Sequence, residues 1–179
     1  MKIGLVRHFK VMHAYPEKIW ITPSELTKWF KDYDASDIEE GETDLQEIEW
    51  EKCYSSDMFR AEKTASAIFD GEIIKTENLR EVPAYPLVHR NIKLPYQLWA
   101  VLVRLAWLVN HPSQKDSKKS VEKRINLFLD DIISEGKANV LIVSHGALMI
   151  FMRRELVKRG FSGPRIGHPA NGKLYLFEI

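Results

Sequence analysis

Two short apolar runs, Lys2 to Val6 and Asn139 to Ser144, constrain this chain most. Neither alternates apolar with polar residues, so both faces of each must be covered, as in the interior of a parallel sheet. Strand-like segments at Lys52 to Ser55, Glu72 to Thr76 and Lys173 to Ile179 alternate with helical patterns. Thr22-Pro23-Ser24-Glu25 carries three agreeing helix-start signals: a capping threonine, proline in the first turn, and a glutamate placed for a capping box. That helix is expected to run to about Asp32. Ser56 or Asp57 is expected to cap a second helix reaching about Phe69, with Gly71 ending it. An apolar helix spans Pro95 to Val109. Another starts at Ser117 or Ser120 and repeats Val121, Ile125, Phe128, Leu129, Ile132 and Ile133 on one face before Gly136. A last helix covers Gly146 to Arg159, and Asn171-Gly172 reads as a turn. The alternation predicts an α/β fold, a three-layer α/β/α arrangement with a mostly parallel central sheet.

A length of 179 residues suits one domain over 1–179. Within it, the proline-punctuated stretch 82–117 reads as a small lid or insert. The single cysteine, Cys53, excludes an internal disulfide framework and is expected to be a buried small hydrophobe. A net charge of +1 offers no general electrostatic attraction to nucleic acid. Ile3 to Val6 is too short for a signal-peptide core. The apolar stretch Leu98 to Val109, interrupted by Arg104, is too short to span a membrane. A soluble cytoplasmic protein is the expectation. Ten of the 25 acidic residues fall between Asp32 and Glu51. They read as a solvated face, or as a patch that repels the wrong anions or meets a basic partner.

In parallel α/β sheets, ligands bind at the carboxyl ends of the strands. Two strands here end in histidine at that edge, at Arg7-His8 and at Ser144-His145-Gly146. A third leads into a helix carrying Arg60. Arg7, His8, Arg60 and His145 together suit a phosphoryl group. Arginine forks match phosphate oxygens bidentately, and neutral imidazole is a competent phosphoryl acceptor. The helix start at Ser56 would add backbone N–H donors.

These segments resemble the histidine phosphatase superfamily, the phosphoglycerate-mutase-like group. Leu5-Val6-Arg7-His8 is similar to its opening motif, the run Ser56 to Ala65 to its second and Val143-Ser144-His145-Gly146 to its third; Leu79-Arg80-Glu81 resembles the segment bearing its acid. The resemblance implies that His8 is the nucleophile that becomes phosphohistidine. It implies a phosphate pocket of Arg7, Arg60 and His145, with Gly146 allowing close approach. It makes Glu81 the proton donor to the leaving oxygen and then the base for water. The implied activity is metal-independent hydrolysis of a small phosphorylated metabolite, with no cofactor. The alternatives are mutase-type phosphoryl transfer, or a non-catalytic domain that binds phosphorylated ligands. Oligomeric state is left open.

The chain departs from the family pattern after His8, where Phe9-Lys10-Val11-Met12 replaces glycine, an acid and a hydroxyl residue. Lys10 reads either as an extra phosphate contact or as a solvated lysine. The usual asparagine is absent, and His13 is left unassigned. Val82-Pro83-Ala84-Tyr85-Pro86 follows Glu81 in place of a stretch containing glycine and tryptophan, so an isolated surface carboxylate is the alternative for Glu81. Acting as an acid, Glu81 would give a mildly acidic rate optimum. Arg90 could reach a second anionic group. Trp99 and Trp107, two helical turns apart, read as core or lid packing, or else as an apolar substrate wall or dimer surface. His89, His111 and His168 lack partners at metal-ligand spacing, and no metal is expected.

Overall fold

The computed structural model describes residues 1–88, 90–136 and 138–179. In chain order the elements are β1 (Lys2–Arg7), β2 (Trp20–Ile21), α1 (Pro23–Ala35), β3 (Lys52–Ser56), α2 (Phe59–Ile68), β4 (Ile73–Thr76), a 3-10 turn (Glu77–Leu79), β5 (Leu94–Pro95), α3 (Tyr96–Leu108), α4 (Lys118–Ser134), β6 (Val140–Ser144), α5 (Gly146–Lys158) and β7 (Leu174–Glu178). The main sheet has the order β4-β3-β6-β1-β7. Its first four strands are parallel, and β7 pairs antiparallel with β1.

Both faces of the central strands are covered, as the unbroken apolar runs require. Ile3, Leu5, Val140 and Ile142 face α4, α5 and Trp107. Val6, Leu141, Val143 and Cys53 face Ala61 and Ala65 of α2 together with Trp50. The result is three layers, α/β/α. Cys53 is fully buried in this second layer, where burial pushes its thiol up to about 12.

The α1 start is built as its sequence predicts. Thr22 accepts from the Glu25 N–H, and Glu25 reaches back to the Thr22 N–H. The helix continues past Asp32 to Ala35. Leu26 is buried and Phe30 and Tyr33 are half-buried, so the face is worth extending, and Ser36 bonds back to Tyr33 and Asp32 to close it. Ser117 caps α4.

Two expectations for α2 are corrected. Neither Ser56 nor Asp57 caps it: Met58 occupies that position with no side-chain bond, because Ser56 completes β3 and turns its hydroxyl to His145. The helix runs to Ile68, within a residue of the expected Phe69, but it closes through the Phe69 N–H on the Ala65 carbonyl and not at Gly71. Pro95 likewise belongs not to α3 but to β5, whose pairing with Trp20–Ile21 makes a two-stranded ribbon. That ribbon encloses a separate cluster of Ile21, Leu26, Trp99 and Val103. Trp99 and Trp107 are both core residues; the exposed apolar side chains of α3 are Leu98, Val101, Leu105 and Leu108. Among the described residues no helix is long and apolar enough to cross a membrane.

Candidate active site

The register of β1 on β6 sets Arg7 opposite Ser144, so the two following residues, His8 and His145, emerge side by side. Their ring centroids are 5.1 Å apart. The His8 N–H donates to the Ser144 carbonyl at 3.0 Å, which locks the two strand ends together. Arg60, the second residue of α2, is 3% exposed, and its Nε donates to His8 Nε2 at 3.2 Å. The structure thus brings Arg7, His8, Arg60, His145 and Gly146 to one edge of the sheet.

The tautomer of His8 follows from its contacts. Nδ1 donates to the Phe9 carbonyl at 2.6 Å, and Nε2 is left as the acceptor, carrying the lone pair. Burial, and then the Arg60 charge, push the His8 pKa down to about 3; the Phe9 carbonyl bond works the other way. His145 is fully buried. Burial first, then Arg60, hold it well below the usual imidazole value. Two neutral imidazoles therefore stand between two guanidinium groups at neutral pH.

Four buried side-chain nitrogens lack a hydrogen-bond partner among the described residues, and two of them are here: Arg7 Nε and His145 Nδ1. The Arg7 guanidinium is anchored through Nη1 on the Pro169 carbonyl at 2.9 Å. It also lies against Gly146, where an added Cβ would sit 3.4 Å from Nε. Buried polar nitrogens left unpaired are costly, and two of them at the same strand edge suit a polar ligand.

Glu81 is not an isolated surface carboxylate. Its two oxygens accept from the backbone N–H groups of Val82, Ala147 and Leu148, which seats it at the start of α5 beside His145 and Gly146. Arg80 fixes that segment by a two-pronged bond to Asp57, at 2.7 and 2.5 Å.

Lys10 is not brought to the site; it pairs with Glu39 on the surface at 2.7 Å. Arg90 is exposed. His13 bonds Ser36 through Nδ1 and packs against Trp29 and Tyr33. His111 bonds Ser113, His168 is exposed, and His89 lies outside the described residues.

The sequence reading missed several residues that shape the pocket. Asn171 Nδ2 donates to the His8 carbonyl at 2.6 Å and the Gly172 N–H to the Arg7 carbonyl at 2.8 Å, so that turn clamps the end of β1. Thr64 accepts from the Phe9 N–H at 2.8 Å. Arg124 of α4, half-buried on the Asn78 carbonyl, places a third cationic charge near His145. Tyr33 and Asp34 contact Arg60. Of these only Thr64 falls within a motif; the others join segments remote in sequence.

A sheet of this order with two histidines and two arginines at its carboxyl edge defines a class. The chain belongs to the histidine phosphatase superfamily (branch 1), whose family model matches residues 35–179. The matched range holds Arg60, Glu81, His145 and Gly146; Arg7 and His8 precede it and join them through the β1–β6 register.

A curated relative from Hydrogenobacter thermophilus, named "Putative phosphoserine phosphatase 2", is 34% identical over 108 residues, covering 54% of this chain and 50% of that protein. The match thus spans about half the length of the curated relative. Among solved structures, the alpha-ribazole phosphatase of Shigella flexneri superposes with a TM-score of 0.61 at 15% identity, over 100% of this chain and 91% of that one. A mycobacterial glucosyl-3-phosphoglycerate phosphatase gives 0.54 at 19% identity, over 88% of this chain and 79% of that one. At these identities the likeness is one of fold.

Proposed function

We propose that this protein hydrolyses phosphate monoesters through a phosphohistidine formed on His8. The observation that carries the reading is that one end of the sheet holds the His8 Nε2 acceptor, the Arg60 guanidinium bonded to it, and the unpartnered Arg7 Nε and His145 Nδ1. The lone pair accepts from Arg60 and lies at the same strand edge as the two unpartnered nitrogens, an arrangement that suits in-line phosphoryl transfer. The names of the relatives, all phosphatases, agree with it.

The substrate phosphate takes the buried donors. His8 Nε2 attacks phosphorus, the ester P–O bond breaks, and Glu81 protonates the departing alcohol. Water then attacks the phosphohistidine with Glu81 as base, the N–P bond breaks, and inorganic phosphate leaves. His145 Nε2 shares a hydrogen bond with the Ser56 hydroxyl at 2.9 Å; in this mechanism the hydroxyl donates, which places the His145 proton on Nδ1 for a phosphate oxygen. Because His8 stays neutral in acid, the nucleophile persists on the acid side of the profile and the rate optimum falls at mildly acidic pH. A flat profile between pH 5 and 8 would remove Glu81 from this role.

The decisive experiment is rapid quench with a labelled phosphate ester. The wild type is expected to form an acid-labile phosphoprotein and to release inorganic phosphate. His8→Ala is expected to form none and to lose at least about a thousandfold in kcat. Turnover by His8→Ala at the wild-type rate would overturn the reading. Incubation with 3-phosphoglycerate separates hydrolysis from mutase activity: phosphate release without isomerisation supports the hydrolase.

A further inference from the structure

Within the acidic stretch from Asp32 to Glu51, three carboxylates pair with surface lysines. Asp32 pairs with Lys28, Asp37 with Lys63 and Glu39 with Lys10. Asp34 differs. Its Oδ1 accepts from Arg60 Nη1 at 2.8 Å, and while the arginine side chain is 4% exposed, the aspartate's is 51% exposed. Asp34 therefore stands between a buried pocket guanidinium and solvent. Its second oxygen, Oδ2, has no partner among the described residues.

The preceding residue reinforces the arrangement. The Tyr33 ring lies 5.3 Å from Arg60 Cζ, and it is itself stacked on Trp29 with centroids 5.4 Å apart. The last turn of α1 thus grips the Arg60 guanidinium on two sides. With Nε on His8 and Nη1 on Asp34, the fork cannot turn both Nη groups to one anion without leaving Asp34.

Attack by His8 Nε2 in line sends the leaving oxygen away from His8, and Asp34 is the exposed carboxylate on the Arg60 guanidinium that adjoins that imidazole. We infer that Asp34 is a specificity-determining residue of this pocket, selecting phosphate esters whose alcohol is neutral or cationic and rejecting those that carry a second anion. The inference rests on the phosphoester reading above. Its physical basis is simple: the pocket offers two arginine charges, Asp34 offsets one of them, and a carboxylate or second phosphate on the leaving group would meet the open oxygen of Asp34.

The test is Asp34→Asn. Asparagine keeps an oxygen to accept from Arg60 and removes only the charge, so the orientation of the guanidinium is retained. The ratio of kcat/KM for 3-phosphoglycerate to that for glycerol phosphate is expected to rise about three- to tenfold, the size of one unit charge at a half-exposed site, and the gain is expected to shrink in 1 M salt. Asp34→Glu, which keeps the charge, is expected to leave the ratio near that of the wild type. Equal changes for both esters in Asp34→Asn, or an Asn-like ratio in Asp34→Glu, would overturn the inference.

Binding of inorganic phosphate, read by calorimetry, is independent of turnover. Asp34→Asn is expected to bind it about three- to tenfold tighter, and unchanged affinity counts against the role of Asp34. Wild-type protein that binds phosphate but hydrolyses neither ester would instead overturn the hydrolase reading and leave the binding comparison to decide on Asp34.

Discussion

The Phe9 ring, one residue beyond His8, is 4% exposed and is accommodated by two glycines from distant parts of the chain. A Cβ at Gly172 would come within 2.8 Å of the ring, and one at Gly41 within 3.1 Å. Phe9 therefore turns away from the phosphate donors into a cluster with Val11 and Ile38, and its backbone is still free to hold His8 through its carbonyl and to bond Thr64. Gly172 also adopts φ +66°, a left-handed conformation that side chains with a Cβ seldom take. Gly172→Ala combines backbone strain with overpacking and is expected to cost about 2 kcal/mol, roughly 4–8 °C of Tm for a chain of this size. A melting curve checks it. Truncating Phe9 to alanine in the same chain should recover part of the loss, because the two positions share one contact. At this scale the sequence shows the unusual residue but not its compensation, which lies 163 positions away.

The link between the β3–α2 junction and the segment after the 3-10 turn is a second device, at the scale of elements. Asp57 and Arg80 meet through two nearly parallel bonds, and the next residue, Glu81, is thereby held against the first N–H groups of α5. Arg80→Ala is expected to lower kcat about tenfold with little change in KM, since it misplaces Glu81 and leaves the phosphate donors untouched. Arg80→Lys is expected to recover only part of the rate, because an ammonium cannot reproduce the fork; steady-state kinetics with p-nitrophenyl phosphate would read both. Elements of this kind differ in how plainly the sequence declares them. The interior strands show in their unbroken apolar runs, and the α1 and α4 starts in Thr22 and Ser117, because those signals are local. The Ser56 signal misleads, since a serine before a helix serves equally as a strand end that hydrogen-bonds a distant histidine. The β2–β5 ribbon is invisible in sequence because two-residue strands have no period. Asp34 is hidden among nine other acids, and only the extra turn of α1 carries it to Arg60.

For the molecule as a whole, the buried imidazoles tie stability to pH. His8 is 2% exposed and titrates at about 3 in the fold, whereas an exposed histidine titrates near 6.5. His145, fully buried, is shifted the same way. Between these two limits the unfolded chain binds protons that the native chain refuses, so the unfolded state gains as pH falls. The stabilisation is fully present above about pH 6.5 and is lost progressively toward pH 3, the sign expected of a base whose pKa is depressed by folding. His8 should contribute a slope of about 1.4 kcal/mol per pH unit through that window, and His145 a loss of the same sign. Carboxylates paired in the fold, such as Asp37 with Lys63, titrate lower and add to the loss only at the acid end. Denaturant unfolding at pH 7, 6, 5 and 4 is the direct measurement, with stability expected to fall steadily below pH 6.5. His8→Gln and His145→Gln, each neutral throughout, should flatten the curve by one imidazole apiece. Parallel curves for wild type and variants would mean that these rings accept protons in the native state, and would withdraw the neutral nucleophile with them.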